Sequence, residues 1–261
     1  MKTLTSLAQA KTTLGKTLLG FALLTCVAIP NAMADGHSKS LDYTVGDKAF
    51  SAHVEKAASA SKGTIYIVHD WNGLDEYEKT RAAMLAEQGY NAVAIDLFGV
   101  DAKLEGRDDY RRETGALYKD RGEFRARLAA AIEAGKNLGA GGKSFIIGYC
   151  FGGAAVLEAA RAGISLDGYV SFHGGLGTPE GQDYSATKAP VLLLHGSADP
   201  VSGMEDLASL LNQLKEAGVP HDAEVFGGAR HSFTVAGSRD YDADADARSW
   251  DALMRFLARN G

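Results

Sequence analysis

From Leu41 to the C-terminus, short apolar β-rich runs alternate with segments whose apolar positions recur at helical spacing. That alternation predicts an α/β architecture. GTIYIVHD (residues 63–70) is apolar almost throughout, as expected of a strand covered on both faces. EYEKTRAAMLAEQG (76–89) has helical spacing and closes on a glycine at the expected C-terminal position. The rhythm continues through YNAVAIDLF (90–98), a long polar helical region from about Arg107 to Leu138, SFIIGY (144–149) and FGGAAVLEAARAG (151–163). Strands DGYVSFHG (167–174), PVLLLHG (190–196) and HDAEVFG (221–227) follow, with a helix from about Met204 to Ala217. ADARSWDALMRFLAR (245–259) closes the chain as an amphipathic helix, and LDYTVGDKAFSAHV (41–54) opens it as a hairpin turning at Gly46-Asp47. The expectation is a mostly parallel sheet of about eight strands with helices on both faces. No internal repeat or long linker interrupts it, so residues 35–261 read as a single domain.

The first 34 residues carry a different pattern. Lys2, Lys11 and Lys16 precede an apolar run from Thr17 to Ile29, and Ala32 and Ala34 form an A-x-A site. This describes a secretory signal cleaved before Asp35, and the run is shorter than the roughly 20 apolar residues of a membrane span. LLTC, ending at Cys26, weakly matches a lipoprotein box, in which Thr25 fits poorly. Export is expected, to the periplasm where the source has an outer membrane, with no membrane insertion after cleavage.

Cleavage removes three lysines and no acids, so the net charge moves from -6 to -9. A surface that acidic argues against nucleic acid as a partner; a small-molecule partner and a monomeric chain are the expectation. Of the two cysteines, only Cys150 then remains, which excludes an internal disulfide. GAGGKS (139–144) resembles a phosphate loop, but Asn137 stands where the first glycine belongs and the stretch precedes a strand. DADADA (242–247) lacks the glycine and terminal glutamate of a calcium loop, and acids ahead of a helix favour its positive end. No CxxC, HExxH or clustered histidine pair occurs, so neither a metal nor a cofactor is expected.

The chemistry concentrates in IIGYCFGGAA (146–155). Gly148 and Gly152 flank Cys150 in a G-x-nucleophile-x-G pattern between a strand and a helix, where a strained turn leaves no room for side chains. The helix N-terminus favours an anionic thiolate and leaves the Phe151 N–H to hold an oxyanion. A fold that uses this turn orders its triad as nucleophile, acid, histidine. Asp199, in the loop after PVLLLHG, and His231, after the last strand, meet that order. His231 would act as general base and Asp199 would fix its tautomer. Asp96 is a rival acid, and His69, His173 and His195 also sit at strand ends; the last two read as supports for loops near the site.

GYCFGG, VSFHGGLGTP, LLLHGSADP and ARHSF, in this order, resemble the dienelactone hydrolase family of the α/β-hydrolase fold. The resemblance covers nearly all of residues 41–261. It implies that Asp70 takes the place of a glutamate that bonds the resting thiol, and that the Trp71 N–H is the second oxyanion donor beside Phe151. Family members that cleave dienelactone hold the substrate carboxylate with an arginine four residues after the histidine, where this chain has Val235. Arg111, Arg112, Arg121 and Arg125 are candidates to supply a cation in its place, but a solvated helix face is the favoured reading of them, and a less polar ester or lactone is then the substrate expected. Trp71, Phe98, Tyr149 and Phe233 are candidates to line the pocket, with core packing as the equal alternative. The reading is hydrolysis of a carboxylic ester or lactone through a thioester on Cys150, with a non-catalytic ligand-binding protein on the same fold as the alternative.

Overall fold

The computed structural model describes residues 38–139 and 142–261, and these described residues group as one compact unit. The signal segment, its cleavage site and the box at Cys26 lie outside the described residues. The opening hairpin forms as read, β1 (Ser38–Val45) against β2 (Lys48–Glu55) across Gly46 and Asp47. The remaining strands are β3 (Gly63–Val68), β4 (Asn91–Ile95), β5 (Lys143–Tyr149), β6 (Gly168–Phe172), β7 (Val191–Gly196) and β8 (His221–Phe226). They build one sheet of 8 strands in the order β1-β2-β4-β3-β5-β6-β7-β8. Strand β2 runs antiparallel to β1 and to β4; from β4 to β8 every pairing is parallel.

The helices are α1 (Glu76–Glu87), α2 (Arg107–Lys119), α3 (Arg121–Gly135), α4 (Phe151–Arg161), α5 (Met204–Glu216) and α6 (Ala243–Asn260). Ile65 and Ile67 of β3 face α1 and α6, while Tyr66 and Val68 face the layer of α3, α4 and α5. Both faces of the sheet are thus covered, which is why the central strands read as unbroken apolar runs.

The polar region expected as one long helix is two. Asp120 ends α2 and its carboxylate accepts the Glu123 N–H at 2.9 Å, so one residue stops one helix and caps the next. Helix α1 starts at a reciprocal capping box in which Asp75 accepts the Tyr77 N–H at 2.7 Å and Glu78 accepts the Asp75 N–H at 3.1 Å. No helix among the described residues is long and apolar enough to cross a membrane.

Candidate active site

Parallel strands deliver their loops to one edge of the sheet, and the expected residues follow strand C-termini there: Asp70 and Trp71 after β3, Cys150 after β5, Asp199 after β7, His231 after β8. Cys150 has φ 54° and ψ -112°, a conformation L side chains avoid. The two glycines explain how the turn closes. A Cβ on Gly148 would stand 2.2 Å from the Gly152 carbonyl oxygen, and one on Gly152 would stand 2.2 Å from that of Val68. Helix α4 therefore packs directly on the ends of β5 and β3, with its N-terminus at the thiol.

The Cys150 Sγ lies 3.0 Å from His231 Nε2, and His231 Nδ1 lies 2.8 Å from Asp199 Oδ2. Asp199 also accepts the Val201 N–H at 2.8 Å. Burial opposes its ionisation, but the hydrogen bond and charge of His231 outweigh it and hold the carboxyl below its usual range. Burial likewise opposes a charged His231, yet its bonds to Asp199 and Cys150 raise the imidazole to about 10. An imidazole kept protonated beside a sulfur is the arrangement that stabilises a thiolate. The rival Asp96 spends its carboxylate on the Phe98 and Gly99 N–H groups and takes no part.

Asp70 is buried, and its Oδ1 accepts the Asn72 N–H at 3.0 Å; among the described residues no bond joins it to the thiol. Burial raises its carboxyl to about 6, with Asp75 adding to the rise. Beside it stands Glu78, which the expectation had missed. It is fully buried and accepts the Asp70 N–H at 3.3 Å on the oxygen not used by Asp75; burial and then the Asp70 charge push it up to about 8. The D-x-x-E spacing of a capping box was the signal that could have located it. Neither the Trp71 nor the Phe151 N–H donates to a protein acceptor among the described residues.

A cavity of about 720 Å³ opens beside the thiol. Trp71 and Phe151 line it, but Phe98, Tyr149 and Phe233 do not: all three are fully buried. Phe98 packs on His69 and Phe151, Tyr149 on Tyr77 and Phe172, and Phe233 on His173 and Phe226. Tyr118 of α2, Thr114 and the exposed Val201 stand on the cavity wall instead. None of the four arginines weighed as a substrate cation lines the cavity, in keeping with the favoured reading of them as a helix face. Arg111 and Arg112 pair with Asp108 and Asp109 on an exposed helix face, and Arg121 and Arg125 pair with the buried Glu158. The cations on the cavity are Arg107, whose guanidinium lies over the Trp71 ring, and Arg239, beside Asp240. Sequence spacing could not separate these from the other arginines, because the pairing with Glu158 joins α3 to α4. No cluster of three metal-ligating side chains occurs among the described residues.

A mostly parallel sheet between two helical layers, with Cys150 and His231 on one strand-end cavity and Asp199 behind the histidine, is the architecture of the α/β-hydrolase fold. The family model of the "Dienelactone hydrolase family" matches residues 50–261, and the chain belongs to that family. It is 27% identical over 219 residues to a carboxymethylenebutenolidase of Pseudomonas putida, covering 80% of this chain and 91% of the relative. It is 26% identical over 236 residues to a putative carboxymethylenebutenolidase of Saccharolobus solfataricus, covering 76% of this chain and 90% of the relative. Among solved structures it resembles a dienelactone hydrolase-like promiscuous phosphotriesterase from metagenomic libraries, at TM-score 0.79 and 31% identity over 85% of this chain and 98% of that one.

Proposed function

We propose that this hydrolase cleaves a carboxylic ester or lactone by nucleophilic attack of Cys150, with His231 and Asp199 as its proton-transfer partners. The Cys150 thiol gives its proton to His231 Nε2 and its sulfur adds to the carbonyl carbon, whose oxygen becomes an oxyanion held by the Phe151 and Trp71 N–H groups. Collapse of that intermediate breaks the bond to the alkoxide, which takes the proton of His231 Nε2, and leaves a thioester on Cys150. Water then gives its proton to His231 and adds to the thioester; the acid departs and the thiol–imidazole pair is restored. Asp199 holds the imidazole in the Nδ1–H tautomer throughout. Asp70, proposed as the group that responds to substrate entry, sits where a change in its charge would be felt by His231.

What carries the reading is the single line from Cys150 Sγ through the His231 ring to Asp199, at 3.0 and 2.8 Å, opening on the cavity. The cavity suits a small ester, with Trp71, Tyr118 and Val201 against its apolar part and Arg107 and Arg239 at its polar rim. We further propose that the enzyme works after export, as a monomer. The test is hydrolysis of short-chain p-nitrophenyl esters and of cis- and trans-dienelactone by the protein and its Cys150→Ala variant. Turnover that vanishes in the variant is expected. No turnover of any of them, with ligand-dependent stabilisation that survives Cys150→Ala, would favour a binding protein.

A further inference from the structure

The non-glycine residues with positive φ among the described ones are Cys150 (φ 54°), His173 (φ 38°) and Ser232 (φ 61°). Such conformations persist where the surroundings over-determine them; Cys150 and His173 are joined directly by a hydrogen bond, and Ser232 lies in the loop that His173 reaches through Thr234. The Cys150 N–H is shared between the Phe172 carbonyl, at 3.1 Å, and His173 Nδ1, also at 3.1 Å. His173 Nε2 stands 2.8 Å from Thr234 Oγ1, three residues beyond His231. Thr234 Oγ1 is 2.7 Å from the Tyr77 hydroxyl, and the Thr234 carbonyl accepts from Arg81 at 2.9 Å. Arg81 is itself paired with Asp246 of α6. His173 and Thr234 are buried, and the His173 ring meets His231 and Phe233 edge-on at 5.4 and 5.1 Å.

The partners dictate the tautomer. A backbone N–H can only donate, so Nδ1 is the acceptor and the ring proton sits on Nε2, donated to Thr234. Burial disfavours the imidazolium, and the His231 and His195 charges act in the same direction, as does Arg81. A neutral ring of fixed dimensions therefore spans the nucleophile's backbone and the loop of its histidine. The Phe172 carbonyl also holds the Cys150 N–H but reaches nothing in that loop. The loop's own bonds, Val235 to Ser232 and Asp242 to Phe233, shape it without reaching Cys150.

We infer that His173 is a positioning residue, whose bridge from the Cys150 N–H to Thr234 sets the Sγ–Nε2 separation of the candidate nucleophile and base. Asp199 fixes the rotation and tautomer of His231; His173 fixes its distance from the sulfur. The inference rests on the Cys150–His231 reading of the site.

The test uses Thr234→Val, which removes the hydroxyl without changing the side-chain volume much, Thr234→Ser, which keeps it, and His173→Asn, which keeps an acceptor for Cys150 but loses Thr234. The first readout is the pH profile of Cys150 alkylation by iodoacetamide, which needs no substrate. Thr234→Val is expected to slow alkylation at neutral pH by roughly fivefold to tenfold, the scale of one lost hydrogen bond, and to move the profile towards an ordinary thiol. Thr234→Ser should stay within about twofold of the parent, because its bond is retained. On an ester substrate the same loss should appear in kcat with KM unchanged, and His173→Asn combined with Thr234→Val should be no worse than either alone. Folded Thr234→Val with the parent's alkylation profile and kcat overturns the inference, as does a loss that Thr234→Ser shares. Should His173→Asn not fold, the two Thr234 variants decide alone. A parent that hydrolyses nothing but shows a perturbed, Thr234-dependent thiol refutes the hydrolase mechanism and leaves the tether standing; a parent whose thiol alkylates like free cysteine removes both.

Discussion

Asp199 and Asp70 are the same residue type, both buried, both just beyond a central parallel strand and on opposite sides of the Cys150 strand. Their carboxyls nevertheless diverge. Asp199 falls below the ordinary range, whereas Asp70 rises to about 6. Burial opposes the charge of both; the difference is the partner. Asp199 faces an imidazole at 2.8 Å and accepts a backbone N–H, while Asp70 has one backbone N–H and two acidic neighbours, Asp75 and Glu78. In a low-dielectric site a cation decides whether a carboxylate stays ionised. One edge of the sheet thus holds a fixed anion for His231 and, across the thiol, a carboxyl free to change charge near neutral pH.

The largest effect expected from breaking this contrast is at Asp199. Asp199→Asn should lower kcat/KM by roughly a hundred- to ten-thousand-fold, because the imidazole loses both its tautomer and its counter-charge. The His231 imidazole, now at about 10, should titrate lower in the variant, which NMR of the ring protons reads directly. An unchanged titration would remove Asp199 from the account. Next comes Asp70→Asn, expected to lower kcat/KM by roughly tenfold to a hundredfold if its charge change assists the thiol.

Stability sharpens the same comparison with opposite signs. Asp70 holds its proton more tightly folded, at about 6, than its ordinary 3.8, so its ionisation costs stability as pH rises through that window. Asp70→Asn should therefore raise the unfolding free energy by up to about 3 kcal/mol above about pH 6, and by nothing near pH 3.8, in urea titrations across pH. His231 runs the other way along the scale. Raised from 6.5 to about 10, it contributes stability that is complete below pH 6.5 and disappears as pH climbs through about 10. His231→Gln should flatten that alkaline fall. The smallest effect is at the rim: Arg107→Ala should raise KM for an anionic ester by about threefold to tenfold and leave a neutral one alone, because the guanidinium is exposed and screened.

Much of this was legible from residues alone. Strand ends and the glycine turn are local signals, so the sheet, the hairpin at Gly46-Asp47 and the placement of Cys150, Asp199 and His231 followed from pattern and order. The pocket did not. Phe98, Tyr149 and Phe233 sit next to site residues in sequence, but strands covered on both faces bury aromatics either way, and all three point into the core. The break at Asp120 went unread because helical spacing continues on both sides of it. Arg121 and Arg125 looked free because Glu158 lies on another helix. Non-local pairing of this kind leaves no periodic trace.

The most direct test of the central claim is mass spectrometry of the enzyme quenched during turnover of an ester, with His231→Ala and Cys150→Ala alongside. An acyl group is expected as a thioester on the Cys150 peptide, longer-lived in any His231→Ala molecules that acylate and absent from Cys150→Ala. Steady hydrolysis that persists in Cys150→Ala, with no acyl adduct in the parent, would contradict it.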